Sequence, residues 1–201
     1  MYYILLIEKL CSEFAQNAIF ARFCYYFSFL FSGELFVIVY SVAAVIWALI
    51  VFTYKGQDKY KVYNDVFDFF SKLGFVFFTF VIVYLSAKTF FACPRPNNAN
   101  DLTSFPSAHS GLACTLFCHF YRYFSKLMVV VMCLLITINS VVLLSLRCHY
   151  VFDIVWGILL APITRAVAIL TYNLCLKPIQ LLKEFVYKRL VCKNDNIDCK
   201  R

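Results

Sequence analysis

Residues 127–146 read LMVVVMCLLITINSVVLLSL, twenty positions without a charge between Lys126 and Arg147. A helix rises 1.5 Å per residue, so about twenty apolar residues cross the ~30 Å hydrocarbon core of a bilayer. A second run of the same length, Leu35–Tyr54 (LFVIVYSVAAVIWALIVFTY), lies between Glu34 and Lys55. Only 15% of the 201 residues are charged and 63% are apolar. A soluble domain carries about 25% charge. The two runs and this deficit predict an all-α protein, a polytopic transmembrane helical bundle, because lipid tolerates only backbones whose polar groups are bonded internally.

Working outward, five spanning segments are expected at about 34–54, 71–91, 108–125, 127–147 and 150–174. The third is short for a span and can be tilted or partly sunk. The fifth contains Pro162, a helix-kinking residue, and Arg165, which can snorkel towards the far interface. Residues 3–20 read as an amphipathic helix. Glu8, Lys9, Ser12, Glu13, Gln16 and Asn17 mark one face and Ile4, Ile7, Leu10, Phe14 and Ile19 the rest. Such a segment prefers the membrane interface, although a sixth span remains an alternative. No secretory signal is expected, since no basic stretch precedes the first apolar run and Glu8 interrupts it. Residues 178–191 read as a basic amphipathic helix followed by a polar tail. The chain is therefore expected to be one domain over 1–201, with an interfacial helix at 1–22, a core bundle at 34–174 and a basic tail at 176–201.

Alternation of the spans puts the 92–107 loop and the 148–150 turn on one side. The other side collects thirteen Lys and Arg residues, against Lys9, Arg22, Lys88, Arg95 and Arg147 on the first. Basic loops stay in the cytoplasm, so the 92–107 loop is expected to face outward. The net charge of +8 is thus spent on topology rather than on a nucleic-acid face. Ten cysteines form no metal-ligand pattern. Cys114 and Cys118 read as small buried hydrophobes of an apolar helix, and His119 as a packed core histidine. A disulfide between Cys93 and Cys148 is left open, as is the oligomeric state.

The outward side gathers the residues with chemistry. Lys88 closes the second span, and Arg95-Pro96 follows. Pro106-Ser107-Ala108-His109 opens the third span, and Arg147-Cys148-His149 leads to Asp153 at the head of the fifth. Ionisable groups at membrane depth are functional candidates by default. Lys88, Arg95 and Arg147 offer charge and forked donors to phosphate oxygens. Ser107 precedes a helix whose free N–H groups favour anions. His149 and Asp153 share a helical face, so the carboxylate can orient the imidazole as a nucleophile. His109 is then free to protonate a leaving oxygen.

The order Lys-x6-Arg-Pro, Pro-Ser-x-His, His-x3-Asp resembles the three signature motifs of the type-2 phosphatidic acid phosphatase superfamily, across residues 88–153. The resemblance implies phosphate binding by Lys88, Arg95 and Ser107, a general acid at His109, and a phosphohistidine formed on His149 with Asp153 orienting it. It implies hydrolysis without a metal or other cofactor. Two positions depart from the pattern. Ala108 stands where the second motif usually has glycine. Val142 and Leu143 stand where the third usually has Ser-Arg, and Arg147, one turn further along, is the candidate replacement.

The expected function is hydrolysis of a lipid phosphate monoester or diphosphate: undecaprenyl diphosphate, phosphatidylglycerol phosphate, phosphatidic acid or lipid A. A bacterial inner membrane with the site facing the periplasm suits so short a chain. Two alternatives are a lipid phosphotransferase using the same site and a non-catalytic membrane protein that keeps the fold.

Overall fold

The computed structural model describes residues 2–14, 16–53 and 59–192; of residues 2, 3, 14, 52 and 190–192 only the backbone is described. The polar tail beyond Cys192 and the junction at 54–58 lie outside the described residues. Among those described, eight α-helices and no strands are found. They are α1 (Tyr2–Phe14), α2 (Ala18–Phe29), α3 (Gly33–Thr53), α4 (Lys59–Phe91), α5 (Ala108–Phe120), α6 (Lys126–Ser145), α7 (Val151–Leu174) and α8 (Leu176–Val186). Helices α4, α6 and α7 and residues 33–51 of α3 are long and apolar enough to cross a membrane.

Three sequence expectations change. The stretch 3–20 is two helices rather than one, because the Asn17 side chain accepts from the amides of Ile19 and Phe20 and starts α2 afresh. The expected loop at 55–70 is helical from Lys59 onward, so α4 runs for 33 residues, about 50 Å. Its extension is held by packing that a hydropathy window cannot see. Tyr63 is buried against Trp47 and Val51 of α3 and against Val186 of α8. Its hydroxyl donates to the Lys183 carbonyl, and Lys183 pairs with Asp68 at 2.9 Å. Finally, α5 has only 13 residues, about 20 Å, and ends in a 3-10 turn at Tyr121–Tyr123. It nonetheless reaches the far end of the bundle, where His119 lines one cavity with Lys72 of α4 and Arg165 of α7. The basic amphipathic helix appears as α8, followed by a π-helical turn at Tyr187–Cys192.

Helix α5 packs most closely on α7, and two glycines set the spacing. A Cβ on Gly157 would lie 2.5 Å from the Ser107 carbonyl oxygen, and one on Gly111 would run into the Tyr84 ring. The Tyr84 hydroxyl crosses from α4 to donate to the Gly157 carbonyl at 2.5 Å. A core of Phe80, Tyr84 and Leu112 fills this junction. On the other flank Cys11 of α1 packs on Leu143, Leu144 and Ile154, and α7 runs unbroken through Pro162. This framework brings the end of α4, the start of α5, the end of α6 and the start of α7 to one face.

Candidate active site

Asp153 is the organiser of that face. It sits one turn into α7 and is only 4% exposed. Its Oδ2 accepts from the Ser104 hydroxyl at 2.5 Å and from the Tyr150 amide at 2.9 Å, while its backbone carbonyl accepts from the Ser107 amide at 3.0 Å. One residue therefore fixes the loop before α5 and the turn before α7. His149 is 3% exposed, with Nδ1 3.7 Å from Asp153 Oδ2. That is close approach beyond hydrogen-bond range, and Nδ1 has no hydrogen-bond partner. Burial holds the His149 pKa below the ordinary histidine value; Asp153 works against this, and Lys88 and Arg95 reinforce it. Burial thus favours the neutral ring.

The cations come from the neighbouring segment. Lys88, in the last turn of α4, donates to the Thr103 carbonyl. Arg95 pairs with Asp101 at 3.0 Å and donates from Nε and a terminal nitrogen to the Thr103 hydroxyl at 3.3 and 3.1 Å. The loop is closed by the Arg95 amide on the Asp101 carbonyl and by the Ser104 amide on the Cys93 carbonyl. The Thr103 hydroxyl in turn holds the Asp101 carboxyl below its usual pKa. Lys88 feels the charges of Arg95, Asp153 and Asp101, and His109 those of His149, Arg95 and Lys88. Lys88, Arg95, His109, His149 and Asp153 are thus one electrostatic cluster drawn from four segments.

Ser107 is fully buried at the N-cap of α5, and its hydroxyl does not cap the helix; it donates to Ser110 Oγ at 3.3 Å. The first-turn amides of Ala108, His109 and Ser110 are left without that cap, and amides at a helix start form an anion-binding concavity. Ala108 fits where glycine was expected because it enters α5 with ordinary helical geometry.

Arg147 stands apart from the cluster. It is exposed and lines a cavity of about 320 Å³ together with Leu5, Glu8, Lys9, Pro96, Leu144 and His149. Its backbone is left-handed, φ 53°. The Cys148 amide returns to the Leu143 carbonyl across it, which closes the end of α6 in a position that normally belongs to glycine. Cys93 and Cys148 are both free thiols.

Ser104, Asp101, Thr103 and Glu8 were not singled out from the sequence. Ser104 and Thr103 are ordinary loop hydroxyls until the fold sets them against Asp153 and Arg95. Glu8 read as one polar position of an amphipathic face, yet its Oε1 accepts from the Val151 amide at 3.1 Å, from 143 residues away in sequence.

The family model described as the PAP2 superfamily matches residues 59–167, the stretch from the start of α4 through most of α7. The chain belongs to the PAP2 superfamily. Among solved structures, the crystal structure of Aquifex aeolicus LpxE is similar to it, with a TM-score of 0.58 at 19% identity, covering 82% of this chain and 93% of that one. At that identity the likeness speaks for the fold. No curated protein matches. Membership and the apolar helices support a phosphatase in a membrane, acting on lipid phosphates.

Proposed function

We propose that this PAP2 protein hydrolyses a phosphate monoester or diphosphate carried by a membrane lipid, through a phosphohistidine on His149. The observation that carries the reading is the buried His149 with one nitrogen towards Asp153 and the charges of Lys88 and Arg95 within reach. The nitrogen remote from Asp153 attacks phosphorus. Lys88, Arg95, Ser107 and the first-turn amides of α5 balance the charge on the phosphoryl oxygens. As the P–O bond to the lipid breaks, His109 gives its proton to the departing oxygen. Water, deprotonated by the same imidazole, then attacks phosphorus, releasing inorganic phosphate and restoring His149. The protein supplies the needed positive charge from its own side chains, so the step is written without a metal.

Arg95 is engaged by Asp101 and Thr103 in this structure; in the proposed reaction it exchanges them for phosphate oxygens. Arg147 approaches from the cavity side and takes the part of the family's third-motif arginine. An arginine kept in a left-handed position that glycine would fill at less cost supports a role for its side chain. The cavity has apolar walls at Leu5 and Leu144 beside Lys9, Arg147 and His149, which suits a phosphate headgroup followed by an acyl or prenyl chain. Undecaprenyl diphosphate, phosphatidylglycerol phosphate, phosphatidic acid and lipid A phosphate all fit that chemistry. With basic residues concentrated at the opposite end, the site is proposed to face the periplasm of a bacterial inner membrane, with α1 in the outer interface.

The test is release of inorganic phosphate from each of the four lipids by protein purified in detergent, with no acceptor lipid present. Turnover of at least one, abolished by His149→Ala, is expected. Release that survives His149→Ala rejects the mechanism. No free phosphate, with a phosphorylated product that forms only when an alcohol-bearing lipid is added, indicates transfer rather than hydrolysis.

A further inference from the structure

A second charged cavity, of about 530 Å³, opens at the other end of the bundle between α4, α5 and α7. Lys72 lies sixteen residues before Lys88 on α4, His119 ten after His109 on α5, and Arg165 twelve after Asp153 on α7. At 1.5 Å per residue these offsets put the cavity about 15–24 Å from the catalytic cluster along the bundle axis. It is too far to belong to that site.

Its lining is unusual for this depth. Lys72, Arg122 and Arg165 face it, with Asp65 and Asp68 the opposing carboxylates. Asp68 is already taken by Lys183 at 2.9 Å. Arg165 lies within spanning helix α7, where an arginine is expensive and is normally matched by a counter-charge. Among the described residues no carboxylate pairs with it, and its Nε is buried with no hydrogen-bond partner. Nδ1 of His119 is likewise buried and unpartnered, and His119 feels the charges of both Arg165 and Lys72. Two orphaned polar groups converge on a roomy, cationic cavity. Left unsatisfied, each carries the desolvation cost of a lost hydrogen bond.

We propose that this cavity is a second anion site, which binds a phosphate group, on a lipid headgroup of the leaflet opposite the catalytic face or as a free ion. One phosphate answers every unusual feature. Its oxygens accept from Arg165 Nε, from His119 in its Nδ1–H form and from the Lys72 ammonium and Arg122 guanidinium, and its charge offsets the surplus of cations. The proposal does not depend on the catalytic reading, since none of these residues touches the cluster around His149.

Two arms separate the sources. In detergent micelles, inorganic phosphate is titrated calorimetrically into wild-type protein, Arg95→Gln and Arg165→Gln. In nanodiscs of phosphatidylcholine doped with phosphatidylglycerol, retained phosphatidylglycerol is counted by native mass spectrometry; as a phosphodiester it is no monoester substrate. Arg95→Gln should keep the site, and Arg165→Gln should weaken it at least about tenfold, the loss of one charge-assisted hydrogen bond. An effect in the phosphate arm alone assigns a soluble anion; an effect in the nanodisc arm, with or without the other, assigns a headgroup. Should Arg165→Gln fail to fold, the exposed rim variant Arg122→Gln is expected to weaken binding severalfold. Wild-type affinity in both arms for whichever of these variants folds overturns the proposal.

Discussion

Gly157→Ala is a one-methyl perturbation whose effect follows from a single distance. The new Cβ would lie 2.5 Å from the Ser107 carbonyl oxygen, where ordinary contact begins at 3.4 Å. The obstacle is backbone and cannot rotate away, so α5 and α7 must separate by about 0.9 Å, the difference between those distances. Overpacking of this kind costs about 1–3 kcal/mol. The same separation stretches the Ser107 amide to Asp153 carbonyl bond, now 3.0 Å, which is worth about 1 kcal/mol. A total loss of about 2–4 kcal/mol is expected. Ser107 and His109 also move relative to His149, and a displacement near 1 Å in a reacting geometry costs about 10²-fold in rate. The control is Gly33→Ala, whose Cβ would meet Phe77 at 4.0 Å and nothing nearer; it should stay within about 0.5 kcal/mol of wild type. Thermal unfolding in a single detergent, with phosphate release on the same preparations, reads both quantities. A Gly157→Ala protein as stable and active as Gly33→Ala would refute the claim that this helix contact positions the site.

Three further outcomes are expected. Arg147→Gly should stabilise the end of α6 by about 0.5–1 kcal/mol, since glycine adopts a φ of 53° freely, yet lower kcat/KM; unchanged turnover would remove Arg147 from the mechanism. Asp153→Asn keeps the volume but loses the charge that receives Ser104, Tyr150 and His149, and should cut kcat by about 10²-fold or more while phosphate affinity changes little. Burial holds His149 below its ordinary pKa, so below about pH 6.5 an unfolded chain takes up a proton that the folded one refuses. Unfolding free energy should therefore fall as pH drops through that window and level off above it, and His149→Gln should flatten the dependence. The acid limb of kcat/KM should fall below pH 6.5 and move lower still in Asp153→Asn, which removes the group that raises the His149 pKa.

The all-α class could be read from Leu127–Leu146 because a charge-free run of that length has one cheap arrangement in lipid. The clustering of Lys88, Arg95, His109, His149 and Asp153 was legible because alternating spans return motifs to a common side. What the chain did not disclose depends on contacts between distant segments. The helical extension of α4 needs Tyr63 against Trp47 and Val186, whereas its own residues, Lys59 to Asp68, look like a polar loop. Ser104 gains meaning only from the oxygen of Asp153, 49 residues on. Arg165 and His119, read singly as a snorkelling cation and a core imidazole, face one cavity because α5 and α7 pack side by side down to that end of the bundle.

The bond from Glu8 to the Val151 amide has a consequence for the order in which the protein is made. Helix α1 is synthesised long before α6 and α7, the helices it packs on, so its apolar face has no partner until they follow. The turn that carries His149 is complete only once that early helix and α7 are both in place, since the Val151 amide donates to Glu8. The placement of His149 is thereby tied to an early helix meeting a later one.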